Sequence, residues 1–120
     1  MKSFSQQVYA LCSQIPRGRV TTYKAIAEEL GTQSYRAVGQ ALRVNPFAPH
    51  VPCHRVVRSN GAIGGFRGWK KGGMVMEKVK LLQEEKVAVI DGKIDLGTYF
   101  WQPVVGIVSP RVTPFKWNLL

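Results

Sequence analysis

Cys53 and His54 stand side by side in the run VPCHRVV, and together they could form a nucleophile with its base. The thiolate is the reactive form of cysteine, and an unperturbed thiol, with a pKa near 8.5, is mostly protonated at neutral pH. A neighbouring imidazole can take that proton, and a carboxylate on its second nitrogen would hold the ring in place. Side chains adjacent on an extended segment point to opposite sides, so the pair needs a sharp turn or a bridging water to communicate. Carboxylates are scarce. Of the seven acids, Glu84 and Glu85 are best placed, because LLQEE ends an apolar run that must dock on the core. Free cysteine is also among the most buried residue types, so a packed thiol beside a hydrogen-bonded histidine fits the same dipeptide. Both readings of Cys53 stand at this point.

The elements around the pair follow from caps and periodicity. Ser3 or Ser5 caps a helix running to about residue 14, with Val8, Leu11, Cys12 and Ile15 as its buried stripe. Pro16-Arg17-Gly18 breaks it, and Thr22 caps a second helix over 23–30 that Gly31 stops. Ser34 caps a third helix over 35–44, ended by Asn45-Pro46. Two short helices joined by a glycine-containing turn form a helix-turn-helix pattern. Ala37, Val38, Gly39 and Ala41 make one side of the third helix small, which suits close approach to a groove wall or to another helix. After a proline-rich connection, a short hairpin is expected with strands at 55–58 and 62–63 about Ser59-Asn60-Gly61. A glycine-rich loop, a fourth helix over 74–85 with Val75, Val79 and Leu82 inward, and a second hairpin about Asp91-Gly92 complete the pattern. The chain reads as one mainly helical domain with short β hairpins.

Charge adds a partner class. The net charge is +10, and residues 17–71 hold ten Lys/Arg against Glu28 and Glu29, which places +8 of it there. A localised excess of this kind suits a polyanion, nucleic acid being the commonest, although it also keeps a basic protein soluble. No run of apolar residues is long enough to span a bilayer. The start has no secretory apolar region, so a cytoplasmic, nucleoid-associated location is expected. Two cysteines are too few for a disulfide framework and lack metal-ligand spacing. No cofactor or metal is expected.

The stretches VTTYKAIA, YRAVGQALRVNP, VPCHRVV and GAIGGFRG, followed by KLLQEE, closely resemble the catalytic domain of the O6-alkylguanine-DNA alkyltransferases over about residues 4–86. The resemblance implies a winged helix-turn-helix-like fold and a monomer acting on double-stranded DNA that carries O6-alkylguanine. It implies that Cys53 takes the alkyl group, that His54 accepts the thiol proton through a water, and that Glu85, rather than Glu84, orients the imidazole. Tyr23 would hydrogen-bond the departing guanine, and Arg36 would fill the gap left by the flipped nucleotide. Asn45 would brace the turn between the DNA-reading helix and the cysteine. Ala37, Gly39 and Gln40 would face DNA, Arg43, Arg58, Lys70 and Lys71 would contact phosphates, and Val56, Phe66 and Arg67 would line the guanine pocket.

The chain departs from the family pattern in three respects. Its first helix begins at once, without the usual N-terminal domain, so a minimal catalytic domain at 1–98 with a C-terminal extension at 99–120 is expected. The segment Arg67-Gly68-Trp69-Lys70-Lys71 enlarges the loop before the fourth helix. The stretch beyond Tyr99 has no recognised counterpart. Two other readings compete with alkyl transfer. One is an alkyltransferase-like module that binds the damaged base without chemistry, relatives of that kind having the cysteine replaced. The other is a winged helix-turn-helix transcription factor, in which the proline-rich lead into Cys53-His54 would have no purpose.

Overall fold

The computed structural model describes residues 3–64 and 73–104. Three helices form its first half. Ser3 caps α1 (Phe4–Cys12) through a reciprocal capping box with Gln6. Thr22 caps α2 (Tyr23–Glu29) by accepting from the Ala25 amide, and Gly31 follows it at φ 76°. Ser34 caps α3 (Tyr35–Arg43) through the Ala37 amide. The apolar stripe of α1 (Val8, Leu11, Cys12, with Ile15 beyond its end) packs with Ile26 and Ala27 of α2 and Val38, Ala41 and Leu42 of α3. Tyr9 ties α1 to α3, donating to the Ala41 carbonyl at 2.7 Å and meeting Phe47 edge to face.

The second half is built on α4 (Gly73–Glu84), which packs Leu82 into a second cluster with Val20, Val57, Ile63, Val87 and Ile94. Its end is a Schellman arrangement: Val87 N donates to Leu82 O and Lys86 N to Gln83 O, with Lys86 itself at φ 69°. The apolar contact that accompanies such an end is present, because Leu82 and Val87 share the cluster. Tight closure of this helix end sets where Glu85 sits.

Strands are few and short. β1 (Thr21–Thr22) pairs in parallel with β2 (Val56–Val57), with Thr21 opposite Val56. The expected first hairpin is therefore corrected in part. The turn exists, with Arg58 N donating to Ala62 O, but the ladder partner of Val56-Val57 is β1, far away in sequence. The second hairpin closes as expected about Asp91-Gly92. Both residues have positive φ, the geometry of a two-residue I′ turn, and Ile90 and Lys93 exchange hydrogen bonds across it. A short α5 (Leu96–Tyr99), capped by Asp95, was not expected. It brings Tyr99 O to Val20 N at 2.9 Å and Trp101 N to Val20 O at 2.7 Å, on the far side of Val20 from its own continuation into β1. The residues before Tyr23 are thus held from both sides. No helix among the described residues is long and apolar enough to cross a membrane.

Candidate active site

Asn45 directs the chain from α3 to the cysteine. Its amide donates to Val51 O at 2.8 Å while its side-chain oxygen accepts from Phe47 N at 2.9 Å, so a buried side chain spans the turn from both ends. Beyond Val51, residues Cys53–Arg55 form a single 3-10 turn that leads into β2. This differs from an extended segment, on which Cys53 and His54 would face opposite ways. Cys53 and His54 are both buried, and the thiol lies in the apolar cluster with Val38, Val51 and Val56.

A buried network gathers behind the turn. His54 Nε2 is 2.8 Å from Glu85 Oε2. Arg55 grips the same carboxylate with both oxygens, Nε to Oε1 and a terminal nitrogen to Oε2, each at 2.8 Å, and its other terminal nitrogen donates to Ile15 O. Burial by itself would raise the Glu85 pKa, but hydrogen bonds from Arg55 and His54 outweigh it and hold the carboxyl down at about 2. The fork also compensates a negative charge placed at a helix C-terminus, where the dipole disfavours it. An ionised Glu85 can only accept, so His54 Nε2 carries a hydrogen and Nδ1 is left as the acceptor. Burial keeps the imidazole pKa below its ordinary value against the pull of Glu85, so the ring is neutral near pH 7. Glu84 is exposed, and its carbonyl receives Arg17 instead. No hydrogen bond joins Cys53 to His54 directly among the described residues.

Sequence reasoning missed Lys78. This lysine is fully buried and donates to Val56 O at 2.8 Å and Ile63 O at 2.7 Å, with its ammonium 6.0 Å from the centre of the Tyr23 ring. Burial pushes it down to about 7, against the pull of Cys53. Its placement was readable: Val75, Lys78, Val79 and Leu82 fall on one helical face, and a lone lysine on an apolar face is buried only with partners. Tyr23, half-buried at the start of α2, is pushed up to about 12 by burial and by Cys53, so its phenol stays protonated and able to donate.

The remaining expected residues that are described lie on α3 or close to Tyr23 and Lys78. Arg36, Gln40 and Arg43 are exposed on α3, with Ala37 and Gly39 partly so. A Cβ built on Gly39 meets nothing within 4 Å, so nothing inside the molecule requires a glycine there. Arg58 is exposed and lies over Gly64, beside Tyr23, while Val56 is buried and serves through its carbonyl. Phe66, Arg67, Lys70 and Lys71 lie outside the described residues. An open cleft of about 460 Å³ is lined by Thr22, Lys24, Glu28, Ser59, Leu96 and Phe100, among others, and includes none of Cys53, His54 and Glu85.

The family model for the 6-O-methylguanine DNA methyltransferase DNA-binding domain matches residues 3–87. The chain belongs to this methyltransferase family. Among curated methyltransferase relatives, the methylated-DNA–protein-cysteine methyltransferase of Saccharolobus solfataricus is 51% identical over 67 residues, covering 56% of this chain and 44% of that protein. The one from Metallosphaera sedula is 48% identical over 83 residues, covering 69% and 49%. This chain therefore spans about half the length of these relatives. S. pombe Atl1, solved in complex with damaged DNA containing O6-carboxymethylguanine, matches with a TM-score of 0.74 at 33% identity, over 86% of this chain and 100% of Atl1. The methyltransferase of Pyrococcus kodakaraensis matches with a TM-score of 0.60 at 42% identity, over 72% and 48%. The helical fold with its small sheet is the fold of the DNA-binding domains of this family.

Proposed function

We propose that this chain is a DNA repair protein that transfers an alkyl group from O6 of guanine in double-stranded DNA to its own Cys53, once per molecule. The observation that carries the reading is the ionised Glu85 holding the His54 Nε2 hydrogen, with Arg55 locking the carboxylate, in the turn that begins at Cys53. In this reading a water passes the thiol proton to His54 Nδ1. The thiolate attacks the alkyl carbon, the carbon–oxygen bond breaks, and its electron pair stays on the guanine. Tyr23 donates a hydrogen bond to the base as that charge develops. Lys78, by donating to the Val56 and Ile63 carbonyls, ties α4 to the segment that follows the cysteine turn. The product is a thioether, and none of the described residues around Cys53 is able to displace it, so turnover stops at one.

An O6 atom inside a duplex is out of reach, so the nucleotide must leave the stack, at lower cost for a damaged pair. Arg36 fills the gap, while Ala37, Gly39 and Gln40 lie against the minor groove, where small residues permit close approach. Arg43, Arg58, Lys70 and Lys71 contact phosphates, Asn45 keeps the cysteine turn aligned with α3, and Val56, Phe66 and Arg67 line the base pocket. A second reading, damage binding without transfer, draws on the match to all of Atl1, whose structure is a complex with damaged DNA. A thiol at position 53 with a base behind it favours transfer.

The test is intact mass after incubation with duplex DNA containing O6-methylguanine. The reading predicts a gain of one methyl group per chain, saturating at one, with none for Cys53→Ala although that variant still binds the duplex. Binding of the damaged duplex by the unsubstituted chain with no gain in mass would establish the second reading instead.

A further inference from the structure

Tyr35, Val44, Met76 and Ile90 are exposed large apolar side chains among the described residues, and two of them bracket α3. Tyr35 is 43% exposed, opens the helix, and directly precedes Arg36. It belongs to neither apolar cluster. Helix initiation does not depend on it, because the Ser34 hydroxyl supplies the cap. The face it borders is basic and unobstructed: Arg36, Gln40 and Arg43 are exposed, Gly39 looks onto open space, and α3 contains no acid. An aromatic ring left in water beside a cation, at the rim of a surface complementary to a polyanion, has the composition of a side chain that unstacks bases.

We propose that Tyr35 is a second side chain that enters the opened duplex. Its ring lies against the base step next to the one occupied by Arg36, so a cation and an aromatic surface together prop the gap. Tyr35 and Arg36 are the first two residues of α3, and neighbours on a helix point about 100° apart, so their side chains leave the same helix end in different directions and can reach separate steps. The proposal rests on the reading of α3 as the DNA-facing helix. Tyr35 is a positioning residue, acting through the extruded nucleotide and not on the reacting atoms.

The test uses the whole chain and a duplex with 2-aminopurine beside O6-methylguanine, together with the same lesion strand alone. Binding of the unsubstituted chain unstacks the reporter and raises its fluorescence. Tyr35→Ala loses most of that rise, and its transfer rate falls about tenfold more on the duplex than on the single strand, within the range of one base–aromatic stack. Tyr35→Phe restores both quantities, whereas Tyr35→Leu, apolar without a ring, does not. Thermal melting of the variants confirms that each is folded. A full fluorescence rise with Tyr35→Ala, or equal losses on duplex and single strand, overturns the proposal, as does an unsubstituted chain that binds without any rise. Absence of methyl transfer by the unsubstituted chain would count against the function proposed above, and the fluorescence arm would still decide the role of Tyr35.

Discussion

Glu85 is held by His54 and Arg55 together, and its replacement should separate proton transfer from folding. In the proposed reaction neutral His54 takes the thiol proton, so the rate should fall as pH drops below the imidazole pKa. Glu85→Gln removes the anion that raises that pKa, so the acid limb of the rate should move to lower pH. The rate at pH 7 should fall by roughly tenfold or more as the base loses its orientation. Folding shows a matching acid dependence. With the carboxyl at about 2 folded, against 4.5 as the ordinary value, its contribution is complete above 4.5 and is lost as pH falls toward 2. Urea unfolding across that window should show the loss in the unsubstituted chain and not in Glu85→Gln. Lys78 titrates in the opposite sense. Its pKa is about 7 folded and 10.5 ordinarily, so the unfolded chain binds more protons between those values and stability gains from raising pH there. Lys78→Met leaves the Val56 and Ile63 carbonyls without their donor, which costs about 1–3 kcal/mol for a buried polar group left unpaired. Its deficit against the unsubstituted chain should widen from pH 7 to pH 9. The His54–Glu85 contact was legible in part, because a carboxylate pair ending an apolar helix narrowed the choice to Glu84 and Glu85 and the family resemblance pointed to Glu85. Lys78 was overlooked because its charge made it look like surface.

On α3, stability and binding should part company. Glycine inside a helix costs roughly 0.5–1 kcal/mol relative to alanine, and the space around a Gly39 Cβ is empty. Gly39→Ala should therefore raise the unfolding free energy by about that amount while weakening affinity for the damaged duplex. Denaturant titration and fluorescence anisotropy read the two effects separately. The first three helices were readable because Ser3, Thr22 and Ser34 are capping residues and Gly31 is a stop, and the fourth from the spacing of Val75, Val79 and Leu82. Strand pairing was not. A two-residue strand carries no alternation, and the link between Thr21-Thr22 and Val56-Val57 is a long-range parallel pairing with no local turn to announce it. The Asp91-Gly92 turn was legible for the opposite reason, since Asp-Gly is a local pair that tolerates the positive φ a two-residue I′ turn requires. The 3-10 turn at Cys53 owes its shape to contacts behind it, Arg55 and His54 being drawn toward one carboxylate.

Over the whole molecule the charge of +10 suits the proposed duplex, and the number of phosphates contacted sets how that binding should respond to salt. Each phosphate contact that is lost should lower the slope of log affinity against log salt by about 0.9. Arg43→Ala, at an exposed position outside the buried network, should show that decrease and weaken damaged and undamaged duplexes alike. The basic balance was legible from composition. The backbone tie at Val20 was not, because its partners Tyr99 and Trp101 lie some eighty residues further along the chain.

Peptide mapping of the unsubstituted chain after reaction with a duplex containing O6-methylguanine tests the central claim most directly. The account predicts S-methylcysteine at position 53, with Cys12, fully buried in the first cluster, unmodified. An unmodified Cys53 in a chain bound to the damaged duplex, or a methyl group recovered on any other residue, would contradict it.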